Sequence, residues 1–390
     1  MFFSEKVSKV QPSATLSITS KAKAMKAEGE DVIILAAGEP DFDTPDIIKK
    51  AAIEAIKQGR TKYTPASGTK SLKEAICRKL NKDNGLKYES GQIVVSNGAK
   101  HSLYNALQVL CNPNDEVLII SPYWVSYPEM VKLAGAVPVT VKTRQKNGFK
   151  VSADDIAEAV TEKTKALIIN SPSNPAGVVY DRDEIEKIAD VCVSNDLAII
   201  SDEIYEKIIF DGKTHFSIAS LSEQVKDRTV LVNGVSKSCS MTGWRIGYMA
   251  ASKDLVNMVS TLQSHATSNP CSISQAAAEC ALTEDLDSEM EKNRQTFQDR
   301  RDVLVKRLTE NPRLKPFVPE GAFYLFCDVS ECGLDSLEFA KRLLKEKKVA
   351  VIPGGPFGED GSIRISFATD MDTINKGVDR ISEWVDGLAA

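Results

Sequence analysis

The sequence has only three histidines, and its eight cysteines (Cys77, Cys111, Cys192, Cys239, Cys271, Cys280, Cys327 and Cys332) form no C-x-x-C pair. Neither a zinc site nor a disulfide framework is signalled, and reduced, mostly buried thiols are expected. No apolar run approaches the roughly 20 residues that a membrane helix needs. The opening residues set Glu5 and Lys6 one residue after two phenylalanines and so lack the apolar core of a secretion signal. A cytoplasmic protein with no membrane partner is expected. The net charge of -5 argues against nucleic acid as a partner, since a phosphate-binding surface needs clustered Lys and Arg. No two glycines stand two residues apart, so G-x-G-x-x-G cannot occur, and G-x-x-x-x-G-K-[ST] and G-x-S-x-G are absent as well. Dinucleotide, P-loop and α/β-hydrolase chemistries fall away with them.

What is present is an ordinary globular composition, 42% hydrophobic and 26% charged, over 390 residues. That length exceeds what one hydrophobic core usually serves, so two domains are expected. From about residue 90 to 250, short Val- and Ile-rich runs alternate with helical patterns: Ile93 to Val95, Val117 to Ile120, Ala166 to Ile169, Leu197 to Ile200 and Thr229 to Val232. This is the pattern of repeated βαβ units, hence a mostly parallel sheet covered by helices. Each run is followed by polar residues, in SNGAK, SPYW, NSPSNPAG, SDEIY and NGVSK. They would cluster past the carboxyl ends of the strands, where open α/β sheets bind ligands.

A long helical region follows residue 250. From Leu314 onward, GAFYLFCDV and VAVIPG read as strands separated by a helix (Ser336 to Lys347), followed by SIRISFA and an amphipathic helix ending near Trp384. The expected division is a large domain over 45–305 and a smaller α+β domain built from 1–44 and 306–390.

Lys237 lies in NGVSKSCSMTGWRIG, just after an apolar run, with the Ser236 hydroxyl beside it and the Arg245 guanidinium eight residues on. It is either an ordinary surface lysine or an amine set to form an imine next to a phosphate dianion. Asp202 follows the run LAII and could be a helix cap, an ion-pair partner or a functional acid against a pyridine nitrogen. Tyr205, three residues later, and Asn174 in the N-P-x-G turn could both donate to a phenolic oxygen, although such turns also serve purely structural ends. Gly98 and Ala99 open a helix whose free amides suit a phosphate, or are a plain strand-to-helix turn. Trp124 supplies a flat face near a strand end, or a core side chain. Arg364 alternates with apolar residues on a strand, and its natural partner is a carboxylate, from substrate or from a structural salt bridge.

Taken in order, AAGEPDFDTP, TKYTPASG, SPYWVSYPEM, NSPSNPAG, SDEIYE, NGVSKSCSMTGWRIGY, PEGAFY and RISFATD run nearly end to end. Together they resemble the fold-type I aminotransferases, specifically the class I aspartate aminotransferases of subgroup Ib. The resemblance implies a seven-stranded, mostly parallel sheet in the large domain and pyridoxal 5'-phosphate as cofactor. Lys237 would carry it as a Schiff base, Asp202 would meet its ring nitrogen, Asn174 and Tyr205 its phenolic oxygen, and Trp124 its face. Gly98, Ala99, Ser236 and Arg245 would hold the phosphate, with Tyr63 reaching in from a second subunit of a homodimer that shares its active sites. Substrate would meet Arg364, Asn174, Trp124 and Gly38, and Lys100, also part of the cofactor pocket, would read the distal carboxylate.

The implied reaction is ping-pong aldimine/ketimine exchange between L-aspartate or glutamate and 2-oxo acids such as 2-oxoglutarate and oxaloacetate. An aromatic, alanine or prephenate preference and a pyridoxal lyase on the same scaffold are the alternatives. A cofactor-sensing transcription regulator would need a DNA-binding module, which the roughly 44 residues ahead of the first large-domain helix do not provide. Relatives commonly show K-P-S-A-T near the N-terminus, whereas this chain has Gln11-Pro12-Ser13-Ala14-Thr15, which weakens the prephenate reading.

Overall fold

The computed structural model describes residues 4–388. Phe2 and Phe3, on which the reading of the N-terminus partly rests, and both extremes of the expected small domain (1–3 and 389–390) lie outside the described residues.

The described residues form thirteen strands, in order β1 (Ile33–Ile34), β2 (Ile93–Ser96), β3 (Glu116–Ser121), β4 (Val137–Lys142), β5 (Thr164–Asn170), β6 (Ala198–Asp202), β7 (Thr229–Gly234), β8 (Gly247–Ala250), β9 (Lys315–Phe317), β10 (Tyr324–Asp328), β11 (Val349–Ala350), β12 (Ile352–Pro353) and β13 (Ser362–Ser366). A seven-stranded sheet runs β2-β8-β7-β6-β5-β3-β4. Its central strands are apolar on both faces, as helices on either side require. The mixed α/β architecture and the seven-stranded, mostly parallel sheet are as expected. The five apolar runs became β2, β3, β5, β6 and β7. Two strands of this sheet, and the short β1 and β9 outside it, lack such a run: in the sheet these are β4, an edge strand carrying Pro138, and β8, which is antiparallel to both β2 and β7.

Because β8 runs against its neighbours, its first residue sits level with their carboxyl ends, Gly247 pairing with both Ser96 and Gly234. A Cβ at Gly247 would fall 2.1 Å from the Ala99 amide nitrogen, so only glycine lets the turn after β2 settle on the start of β8. The helix Ala99–Leu110 then leaves this turn with Gly98 as its N-cap.

A second, antiparallel sheet runs β12-β13-β10-β9, and β1 pairs with β11 in parallel. Ile33 and Leu35 share one core with Phe339, Ile363, Ile365, Trp384 and the aromatic run Phe323 to Tyr324. That core continues into Tyr205, Ile208 and Phe297. The helix Ser336–Lys347 spans the residues anticipated for it, and the last helix is Met371–Asp386, begun by the Asp370 side chain accepting from the Thr373 amide. The continuous helix Asp287–Thr309 passes through residue 305. Among the described residues, no helix is long and apolar enough to cross a membrane.

Candidate active site

The polar residues that follow β2, β3, β5, β6 and β7 converge on the carboxyl edge of the large sheet. Asp202 ends β6 and is 4% exposed. Its Oδ2 accepts from the Tyr127 hydroxyl at 2.8 Å and its Oδ1 from the Ile204 amide at 3.3 Å. Burial raises its pKa to about 6, against the opposing pull of those two donors and of Lys237.

Lys237 stands in the loop that leaves β7. Its Nζ donates to the Gly38 carbonyl at 2.6 Å and lies 5.7 Å from the Phe323 ring and 5.9 Å from the Tyr205 ring. Desolvation brings its pKa down to about 8; the Glu39 carboxylate works against this and the Arg364 and Arg245 charges reinforce it. An amine so held is partly neutral near neutral pH and hence nucleophilic and basic.

Arg364, in the middle of β13, is 2% exposed. The strand is buried along its whole length and not on one face alone as alternation had suggested. Its Nη1 donates to Asn174 Oδ1 and its Nη2 to the Ala36 carbonyl, both at 3.0 Å, and the guanidinium lies 4.2 Å over the Tyr324 ring and 5.3 Å from Phe357. None of these partners is an anion. Its Nε is buried without a partner among the described residues, and burial lowers its pKa. A guanidinium buried beside neutral groups is costly unless an anion arrives. With Oδ1 of Asn174 taken by Arg364, the Asn174 amide nitrogen is left to donate elsewhere.

At the other end of the crevice, Gly98 has φ 87° and Arg245 lies directly against it: a Cβ there would sit 2.2 Å from Nη2. Arg245 itself adopts φ 54° and is steadied by the Thr242 and Asn97 carbonyls at 2.9 and 3.3 Å. Ser236 is buried in the loop after β7. The Gly98–Ala99 turn, Arg245 and the Ser236 loop leave the sheet side by side, since β8 starts between the ends of β2 and β7. Lys100 sits 4.6 Å over the Trp124 ring, and burial together with Arg245 lowers its pKa. Trp124 meets Tyr127 edge-on at 5.4 Å. Tyr63 is not drawn into this crevice; it is 90% exposed in the loop between the helices Asp46–Lys57 and Lys70–Asn84.

Three crevice residues had not been singled out. Tyr127, in the first turn of the helix Ser126–Leu133, holds Asp202, and its place three residues after Trp124 in SPYWVSYPEM was the available signal. Tyr324 bonds the Tyr205 hydroxyl at 3.1 Å. Glu39 accepts from the Thr242 hydroxyl at 2.9 Å and faces Lys237.

The same strand end builds a second cluster. Glu203 and His215 pair at 2.8 Å, and the other Glu203 oxygen accepts from Ser201 and Ser217 at 2.9 and 2.7 Å. Glu206 takes the Lys79 ammonium, with Asn233 and Asn84 at 2.8 and 2.9 Å. Burial disfavours its charge, but Lys79 and His215 outweigh that and hold its carboxyl near 2. The Glu203, Glu206 and His215 ligand atoms lie within 4.8 Å of one another, yet all four carboxylate oxygens already have protein donors or an ion-pair partner.

The description "Aminotransferase class I and II" matches residues 30–381. An aspartate aminotransferase of Bacillus sp. (strain YM-2) is 51% identical over 385 residues, 97% of this chain and 98% of that one. An aspartate/prephenate aminotransferase of Cereibacter sphaeroides is 45% identical, with all of both chains covered. The solved aspartate aminotransferase of Thermus thermophilus with maleate superposes with a TM-score of 0.95 at 40% identity, covering 98% of this chain and 99% of that one.

Proposed function

The chain belongs to the class I and II aminotransferases, and from there we propose that it moves an amino group between L-aspartate or L-glutamate and 2-oxo acids such as 2-oxoglutarate and oxaloacetate, with pyridoxal 5'-phosphate as cofactor.

The residues fit that cofactor. Arg245, Ser236 and the amides of Gly98 and Ala99 would hold its phosphate, Asp202 its ring nitrogen, Asn174 and Tyr205 its phenolic oxygen and Trp124 its face. The close approach of Arg245 to Gly98, which no side chain at 98 would permit, supports the phosphate end. Exposed Tyr63 is free to serve a neighbouring site, so the working unit is a homodimer in which the partner's Tyr63 completes the phosphate pocket. When bound, the cofactor supplies an electron sink for the bond broken at the substrate's α-carbon.

The chain's own side chains do the rest. Lys237 would hold the cofactor through its amine, and that amine, with a pKa of about 8, is suited to move the proton at the substrate's α-carbon. Arg364 and Asn174 bind the α-carboxylate, with Gly38 close by, and Lys100 over Trp124 meets the distal carboxylate. Phe323 and Tyr205 keep water from the amine. Residues 45–305 would form the domain that carries the cofactor, and 1–44 with 306–390 the domain that closes over a bound dicarboxylate. The Thermus relative was solved with maleate, itself a dicarboxylate. Eight free cysteines suit a reducing compartment, and we assign the enzyme to the cytoplasm.

One observation carries this reading: a buried Arg364 that lacks an anion shares a crevice with an amine and an acid whose pKa values are drawn toward neutrality from opposite sides. The test uses protein loaded with pyridoxal phosphate. Aspartate alone should shift the visible absorbance band and release one oxaloacetate per site, and steady-state rates should favour aspartate over alanine, phenylalanine and prephenate. A preference for alanine would overturn the substrate assignment, and continuous release of ammonia or of an eliminated product would point to a lyase.

A further inference from the structure

Tyr324 has no role in the scheme above, yet it touches the groups that do. It opens β10, is 1% exposed, and its hydroxyl is 3.1 Å from that of Tyr205. The Arg364 guanidinium lies 4.2 Å over its ring. A Cβ on Gly38 would sit 3.5 Å from its oxygen, so the backbone that accepts the Lys237 amine packs against the same hydroxyl.

Counting protons gives the hydrogen bond its direction. A tyrosine hydroxyl carries one proton and can also accept. If Tyr205 donates to the cofactor's phenolic oxygen, its own oxygen must accept from Tyr324, the partner it has among the described residues. We propose that Tyr324 is a positioning residue of the transamination site: its hydroxyl donates to Tyr205 and so turns the Tyr205 proton onto the cofactor's phenolic oxygen, while its ring braces Arg364 for the substrate carboxylate. This rests on the cofactor reading above.

Two hydroxyls in series polarise each other, so Tyr205 donates more strongly than it would alone. A stronger donor withdraws electron density from the phenolic oxygen and lowers the proton affinity of the nitrogen that joins Lys237 to the cofactor. The charged groups that face the tyrosine pair and Lys237 are Arg364 from β13, Asp202 from β6, Glu39 from the segment after β1, and Arg245 from the turn before β8. Tyr324→Phe leaves all of these and the ring stack in place, so a change in titration reports the hydroxyl.

The experiment is a pH titration of the visible absorbance of protein loaded with pyridoxal phosphate. Tyr324→Phe should raise the midpoint by about half a unit, a roughly threefold higher proton affinity. Tyr205→Phe should raise it further, and the Tyr205→Phe/Tyr324→Phe double variant should match Tyr205→Phe alone, because the relay then has nothing to act through. An unchanged midpoint in Tyr324→Phe, or the same added shift in the Tyr205→Phe background, overturns the proposal and leaves the cofactor reading standing. Wild-type protein that shows no visible band with pyridoxal phosphate overturns the cofactor reading, and the relay with it.

Discussion

Changing Asp202 to Asn should make the cofactor-free protein more stable at alkaline pH. The carboxyl titrates at about 6 in the folded chain against 3.8 ordinarily, so the folded state holds the proton more tightly than the unfolded one. Well below pH 3.8 both states are protonated and the group contributes nothing. Stability falls as pH rises from 4 to 6, and above 6 the full penalty stands. A gap of 6 minus 3.8, roughly 2.2 units, corresponds to about 3 kcal/mol. At 4% exposure, solvent relieves little of it. Asn removes the charge and keeps an acceptor for Tyr127, although the hydrogen bond it accepts is weaker than one to a carboxylate. The net gain should be about 2 kcal/mol at pH 8 and close to zero at pH 4.5. Denaturant unfolding of both proteins, stripped of cofactor, at the two pH values with unchanged m-values measures it. A variant that is less stable than wild type at pH 8, or a difference that does not vary with pH, would refute the argument that Asp202 is a buried charge awaiting its counter-ion.

Arg364→Lys keeps the charge but loses the planar fork, and kcat/KM for aspartate should drop by about a hundredfold; a change below fivefold in steady-state assays would contradict carboxylate binding there. Lys79→Met strands the buried Glu206 carboxylate and should cost about 3 kcal/mol in denaturant unfolding, most of it recovered in Lys79→Met/Glu206→Gln. Colour development on adding pyridoxal phosphate to stripped protein should accelerate through about pH 8, as Lys237 loses its proton, and level off above that. Stopped-flow absorbance reads this directly, and a midpoint above 10 would mean that the amine is not desolvated.

Elements whose burial is continuous along the chain were legible in sequence, and those defined by distant partners were not. β5 to β7 show as apolar runs because helices cover both faces. β4 lies at the sheet edge with only Val141 buried, and Pro138 interrupts its pattern, so no run stands out. β8 is four residues long and begins with glycine, too short to show a period. The crevice followed the same rule. Lys237, Asp202 and Gly98 could be picked out because each stands in the polar segment that follows an apolar run. Tyr324 and Tyr205 are 119 residues apart and are paired by packing alone, whereas Arg364 and Asn174, 190 apart, are brought to one site in the sequence only by the family resemblance and not by spacing. Likewise, SDEIYE gave no sign that Glu203 and Glu206 enter a buried network with His215 and Lys79, apart from Asp202 and Tyr205.

In the proposed reaction one amine, Lys237, carries the cofactor. Borohydride reduction of pyridoxal phosphate-loaded protein, followed by proteolysis and mass mapping, fixes that attachment point. The phosphopyridoxyl group should appear on the Lys237 peptide and vanish in Lys237→Ala. Attachment at another lysine, Lys100 included, or no attachment at all, would contradict the account.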